Sequence, residues 1–209
     1  MSRLTVVDHP VIRTKMAELR DVATPHRAFR NLVEEVAMLM TYELTRTMPV
    51  RERSVRTPLE LTTGHELARP VCLVPILRAG LGMTSGVMRL LPDCRVGHVG
   101  LERDEKSGEA DAYYHKLPPD IADCETIVTD PMLATGGSAV RCLSFLKAKG
   151  VTASCVRFMC LVAAPEGLEK LAEAHPDVEV YAAAVDRELD ANHYIRPGLG
   201  DAGDRIFGT

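Results

Sequence analysis

The chain has 209 residues, 46% apolar and 26% charged, with Lys plus Arg at 25 and Asp plus Glu at 29. That length and apolar content fit one domain with a real core, and a net charge of −4 argues against a nucleic-acid binder, which needs a positive field. An apolar run such as Val71–Leu77 is far too short to span a membrane, and residues 1–8 lack the basic-then-apolar pattern of a secretory leader, so a soluble cytoplasmic protein is expected.

Pro10 opens a short helix ending near Asp21. Thr24-Pro25 reads as an N-cap followed by proline at the first helical position. Phe29, Leu32, Val33, Val36, Met40 and Leu44 recur at intervals of three and four, which predicts a helix with one buried face running to about Met48, where Pro49 ends it. Residues 50–63, charged and threonine-rich around Pro58, read as strand, turn and strand. Val71–Leu77 has the continuous apolar character of a strand buried on both faces, as in a parallel sheet, and Pro75 predicts that its regular part stops near Val74. A helix over 80–91 and a short strand over 96–100 follow. Residues 101–120, dense in acids and carrying Pro118-Pro119, read as a projecting arm or a solvated surface loop. Then come a strand over Glu125–Thr129 ending at Asp130, a helix over 138–149 capped by Gly150, a strand over Val156–Ala163, a helix over Pro165–Ala174 and a strand over 178–185. This alternation predicts an α/β fold, a largely parallel sheet flanked by helices on both faces. Ligands of such sheets bind beyond the carboxyl ends of the strands.

Six Cys, at 72, 94, 124, 142, 155 and 160, form no Cys-x-x-Cys pair, and four of them lie in apolar stretches. Neither structural zinc nor a disulfide scaffold is expected. Trp is absent and aromatics are 4%, a poor supply of stacking platforms for nucleic acid. The chemistry concentrates between Glu125 and Ser138, where a buried strand, an acid, a small-residue turn and a helix start follow one another. Thr135, Gly136, Gly137 and Ser138 would gather backbone N–H groups and two hydroxyls at a helix N-terminus, an arrangement that cradles a phosphate monoester. The two glycines let the backbone approach the ligand, and Asp130 is near enough for ribose hydroxyls. This segment is not a Walker loop, because Gly-Lys-Ser/Thr is missing, and it is not the Gly-x-Gly-x-x-Gly fingerprint either. An ordinary turn is the plainer alternative for Thr-Gly-Gly-Ser.

Asp130-Pro-Met-Leu-Ala-Thr-Gly-Gly-Ser138 resembles the phosphoribosyl diphosphate (PRPP) loop of the type I phosphoribosyltransferases, in the form of the uracil phosphoribosyltransferase branch, where Pro131 stands in place of a second acid. Val74-Pro-Ile-Leu-Arg-Ala-Gly-Leu-Gly-Met83 resembles that branch's second PRPP segment, and Gly100-Leu-Glu-Arg-Asp104 the start of its flexible arm. Tyr194-Ile-Arg-Pro-Gly-Leu-Gly-Asp-Ala-Gly-Asp204 resembles its uracil-binding tail, and Arg56-Thr-Pro58 and Ala164-Pro-Glu-Gly167 match as well. The resemblance covers essentially the whole chain. It implies the type I phosphoribosyltransferase fold as one domain over 1–209, with an arm at about 101–120 and a C-terminal base-binding hood at about 186–209. The implied reaction moves the 5-phosphoribosyl group from PRPP to N1 of uracil, giving UMP and diphosphate in pyrimidine salvage.

The resemblance also implies roles. Arg78, Arg103, Asp130 and Asp201 are the expected catalytic residues, and they bind PRPP together with Pro131, Met132, Leu133, Ala134, Thr135, Gly136, Gly137 and Ser138. Ile195, Gly200, Asp201 and Ala202 hold uracil, mostly through main chain that cytosine would leave unpaired. Mg2+ is the implied cofactor, carried by PRPP, with Asp201 touching the PRPP-Mg2+ complex through a metal-bound water. His193 and Tyr194 flank the site, with no general-base role assigned to His193. A homodimer or larger homo-oligomer is implied, with GTP as an effector in some members, and neither nucleic acid nor membrane as a partner. The alternatives are a transferase for another nucleobase, which the 194–204 tail disfavours, and a PRPP-binding regulator of pyrimidine metabolism, which the negative charge disfavours. Arg196 departs from the family pattern, which has an aliphatic residue there. Neighbours in an extended stretch face opposite ways, so with Ile195 toward the base Arg196 is predicted to face solvent or an acid on a neighbouring element.

Overall fold

A computed structural model describes residues 3–103 and 110–209, with side chains for 4–101 and 114–209. A four-residue strand, β1 (Arg3–Val6), leads into α1 (Pro10–Arg20), whose proline occupies the first turn, where an N–H would have no partner. α2 (His26–Leu44) buries the predicted stripe of Phe29, Leu32, Val33, Val36, Met40 and Leu44. Its ends differ from expectation. The N-cap is Pro25, and the Thr24 hydroxyl donates instead to Glu18 O at 2.6 Å, fastening the turn to α1. The helix stops at Leu44 because Thr45–Thr47 tightens into a 3-10 turn, which satisfies the last carbonyls.

β2 (Val50–Arg56) and β3 (Leu61–Leu67) form the expected hairpin, closed by Thr57 N–H donating to Glu60 O. β4 (Val71–Leu77) runs past Pro75 instead of stopping at Val74. After α3 (Leu81–Leu90), the predicted strand at 96–100 is split by Gly97 into β5 (Arg95–Val96) and β6 (His98–Arg103). That break explains Pro75. Leu73 O accepts from Gly97 N–H at 2.8 Å, and Pro75, two residues on, faces the same side, where the ladder is interrupted and a missing donor is tolerated.

β7 (Ala110–Lys116) pairs antiparallel with β6, so the described part of the expected arm is a hairpin, and its residues 104–109 lie outside the described residues. β8 (Glu125–Thr129), β9 (Met132–Leu133), α4 (Gly137–Ala148), β10 (Val156–Ala163), α5 (Pro165–Ala174) and β11 (Glu179–Val185) follow. Two short antiparallel strands, β12 (Glu188–Leu189) and β13 (Ile195–Arg196), precede α6 (Ala202–Phe207).

The main sheet has the order β1-β11-β10-β8-β4-β6-β7, with β5 on β4 and β9 on β10. Every pair in it is parallel except β6 with β7. Alternate residues of β4 serve the two faces. Val71 and Leu73 pack with the core side chains of α1, α2 and α3, while Cys72, Val74 and Ile76 pack with those of α4 and α5. All six Cys are free thiols. No helix among the described residues is long and apolar enough to cross a membrane. From β4 the chain builds outward to β6 and β7, then returns to β8 and builds the other way. The carboxyl ends of β4 and β8 therefore border a topological switch point, where open α/β sheets bind ligands.

Candidate active site

Asp130 emerges from β8 at this switch point, and residues 131–138 form the predicted loop and helix start. Gly136, the N-cap of α4, has φ +76°, a conformation glycine adopts freely. The loop is buttressed from α5. A Cβ on Gly167 would lie 2.3 Å from Ala134 O and 2.7 Å from Leu133 O, and one on Gly136 would lie 2.8 Å from Gly167 O. Met132 through Ser138, with Asp130, wall a cavity of about 260 Å3. Pro131 alone of the expected stretch is missing from that wall. It is buried, and its carbonyl accepts from the N–H groups of Leu161 and Val162 at 3.0 and 3.1 Å, tying the loop to β10. The wall also includes Ala139 and Asn192, which the motifs did not indicate, and His193, which was expected to flank the site.

A second cavity of about 270 Å3 adjoins the first. The expected Ile195, Gly200, Asp201 and Ala202 all line it, and so does Ala79 from the turn after β4. The two cavities share Asp130, Met132, Ala134 and His193. The C-terminal segment is held over the sheet by polar anchors that no sequence pattern announced. Arg20 grips Asp186 with two contacts of 2.7 Å and donates to Gly198 O at 2.7 Å, while Gly198 N–H donates to Asp186 at 2.8 Å. Arg205 donates to Leu19 O at 2.6 Å and Leu199 O at 2.7 Å, and lies 4.2 Å over the Phe29 ring. Ile195 is buried and Arg196 exposed, in the predicted opposite senses. Arg196 pairs with Asp190 at 2.5 Å, and its peptide bond to Pro197 is cis.

Burial pushes the Asp130 carboxyl up to about 7, a rise the Met132 N–H partly offsets. The Cys142 thiol beneath it is pushed up to about 12, first by burial and then by the Asp130 charge. Asp201 is exposed and does two things: it lines the second cavity and caps α6, accepting from Asp204 N–H at 3.0 Å. Arg78 follows β4 through a cis peptide bond and is exposed; its side chain has no described ion-pair or hydrogen-bond partner. It lines neither cavity, whereas its neighbour Ala79 lines the second. Arg103 ends β6, and its side chain is outside the described residues. Among the described residues no three His, Cys, Asp or Glu gather as a metal cluster. The two carboxylates facing the second cavity, Asp130 and Asp201, are hard oxygen donors. They fit Mg2+ that draws most of its ligands from phosphate oxygens and water.

A family model described as Uracil phosphoribosyltransferase matches residues 6–209. The chain is 53% identical over 210 residues to the uracil phosphoribosyltransferase of Staphylococcus epidermidis, with 100% of both chains covered. It is similar to the AQ2163 protein from Aquifex aeolicus at a TM-score of 0.90 and 33% identity, covering 99% of this chain and 98% of that one. A hypoxanthine-guanine phosphoribosyltransferase from Bacillus anthracis, 11% identical with a TM-score of 0.51 over 81% of this chain and 90% of its own, shares the fold. The architecture is thus that of the type I phosphoribosyltransferases, and the chain belongs to the uracil phosphoribosyltransferase family.

Proposed function

We propose that this protein transfers the 5-phosphoribosyl group of PRPP to N1 of uracil, releasing UMP and diphosphate. The observation that carries the reading is the pair of adjoining cavities, one walled by Thr135 to Ser138 and the other by Ile195 and Gly200 to Ala202, with Asp130 at their junction. A phosphate in the first and a base in the second place the ribose beside Asp130. The new bond joins uracil N1 to the ribose C1, the C1–O bond breaks with its electron pair leaving on diphosphate, and the N1 proton passes to water. Positive charge grows on the sugar as that bond breaks, so positioning and charge stabilisation are the main tasks.

In this reading the loop N–H groups and the α4 dipole hold the 5-phosphate. Asp130 contacts ribose hydroxyls, and the main chain around Ile195 and Gly200 pairs with the uracil edge. Arg78 and Arg103 reach the diphosphate from the ends of β4 and β6, where a guanidinium fork suits phosphate oxygens. Asp130 and Asp201 are the carboxylates that would hold Mg2+ together with PRPP and water. When bound, that ion offsets the charge of the leaving diphosphate. The proposal includes one domain over 1–209, with its arm at 101–120 and base-binding segment at 186–209, acting in the cytoplasm as a homodimer or larger homo-oligomer with GTP as effector.

The test is an assay with labelled uracil, PRPP and Mg2+, with products separated by chromatography. UMP and diphosphate should appear in equal amounts, and orotate, cytosine and hypoxanthine should react far more slowly. Undiminished turnover in excess EDTA would remove the metal. A faster reaction with another base would reassign the substrate, and RNA binding in a gel shift without turnover would favour a regulator.

A further inference from the structure

The turn between β12 and β13 is organised around one carboxylate. Asp190 Oδ1 accepts from the N–H groups of Asn192 at 2.9 Å and Tyr194 at 3.0 Å. Its Oδ2 accepts from Arg196 Nε at 2.8 Å and lies 2.5 Å from Nη2. The backbone closes the same turn, with His193 N–H donating to Asp190 O and Asp190 N–H to Tyr194 O, both at 2.9 Å. Tyr194 N–H first, and Arg196 with it, holds the Asp190 carboxyl below its ordinary range.

What this network secures is a strained residue at a functional junction. His193, at φ +64°, is the only non-glycine residue with positive φ among the described residues, a conformation that side chains oppose and surrounding contacts must impose. His193 also lines both cavities, and Asn192 lines the phosphate side. With the phosphate in one cavity and the base in the other, the ribose lies between Asp130 on the strand side and His193 on the turn side. A neutral imidazole offers one donor and one acceptor, which matches a sugar hydroxyl.

We propose that His193 is a substrate-contact residue for the ribose of PRPP, and that Asp190 and Arg196 are positioning residues holding it at the junction of the two cavities. This deepens the transfer reaction proposed above and rests on it. It also gives Arg196 a task where the family pattern has an aliphatic side chain. The pair works on the sugar side of the site, while Ile195 and residues 200–202 serve the base.

The test compares wild type with His193→Gly, Arg196→Ile, Arg196→Lys and the double variant His193→Gly/Arg196→Ile. It measures KM for PRPP and for uracil, kcat, and the calorimetric Kd of PRPP with Mg2+. Glycine accepts the positive φ, so His193→Gly keeps the turn and removes only the imidazole. Its KM and Kd for PRPP should rise by about tenfold, as for a lost hydrogen bond, with the uracil KM within about twofold. Arg196→Ile should weaken PRPP binding by about threefold to fivefold, with Arg196→Lys recovering most of the loss. The Arg196→Ile penalty should vanish in the His193→Gly background, because Arg196 acts through His193. PRPP constants for His193→Gly within twofold of wild type overturn the contact, and a penalty that persists in the double variant overturns the positioning role. If wild type binds PRPP but forms no UMP, the transfer reading falls while the calorimetric series still decides this proposal. Absence of PRPP binding by wild type overturns both.

Discussion

Asp130, Asp201 and Arg78 differ in how the fold treats their charges, and their variants should differ accordingly. Burial raises the Asp130 carboxyl from 3.8 to about 7, so the folded state favours its neutral form. The stability this contributes is complete below the ordinary carboxylate value and is lost as pH rises toward 7. Asp130→Asn should therefore match wild type in Tm near pH 4 and exceed it above pH 7, each kcal/mol recovered adding about 2–4 °C, while turnover falls. A Tm difference that does not change with pH would show that the carboxyl is not desolvated. Asp201 is a separable case because asparagine caps a helix as well as aspartate does. Asp201→Asn keeps the bond to Asp204 N–H and removes only the charge. The Arg78 side chain has no described partner to orphan, so Arg78→Ala should leave the fold intact. Both variants should show normal circular dichroism and a kcat lower by about 100-fold or more, the usual cost of a lost transition-state charge contact. Wild-type turnover from either folded variant would remove that residue from the site.

Among the elements, those whose burial follows a simple period were legible from sequence, and those set by distant contacts were not. The stripe of α2 and the apolar runs of β4 and β10 announced themselves because one helix face or both strand faces are buried. β1 is a four-residue edge strand whose exposed Leu4 and Val6 show no inward alternation, and its place is set by pairing with β11, far along the chain. The stop expected at Pro75 was wrong for a tertiary reason, the break at Gly97. α5 was placed to the residue, but its buttressing of the loop from Asp130 to Ser138 was invisible, because it depends on how Gly167 meets Ala134 and Leu133 across the fold. That contact yields a prediction. A methyl group at 167 has no room against two loop carbonyls, so Gly167→Ala should shift the loop and cost about 1–3 kcal/mol of stability. Displacing positioning groups by about 1 Å is costly in rate. The KM for PRPP should accordingly rise at least tenfold while the uracil KM changes less. Equal increases in both, or none, would show that the loop does not depend on this buttress.

On the scale of the molecule, the loop from Asp130 to Ser138 was legible because it is contiguous, whereas the cavities' closure joins parts of the chain no local pattern connects. Asp186 and Arg20 meet across most of the sequence, and His193 reaches the loop only because the C-terminal segment folds back over the sheet. The parallel sheet also separates function from anchorage. Its carboxyl edge holds the two cavities, and its amino edge holds a buried charge cluster. Arg157, at the start of β10, lies 2.6 Å from Glu125 at the start of β8 and 3.5 Å from Glu179 at the start of β11, with Arg157 and Glu125 each 5% exposed. Charges this deep are costly to desolvate and are tolerated only when paired, so removing one partner is far worse than never having had the pair. Glu125→Ala should lower stability by about 3–5 kcal/mol in urea unfolding. Glu125 and Asp130 stand at opposite ends of β8, about 16 Å apart at the rise of an extended strand. Protein that remains folded should therefore bind PRPP and uracil with unchanged constants. A loss of less than about 1 kcal/mol would mean that Glu179 alone satisfies Arg157. A stability loss accompanied by a weakened PRPP constant would mean that strain at the amino edge travels through β8 to the loop, and that the two edges of the sheet are mechanically coupled.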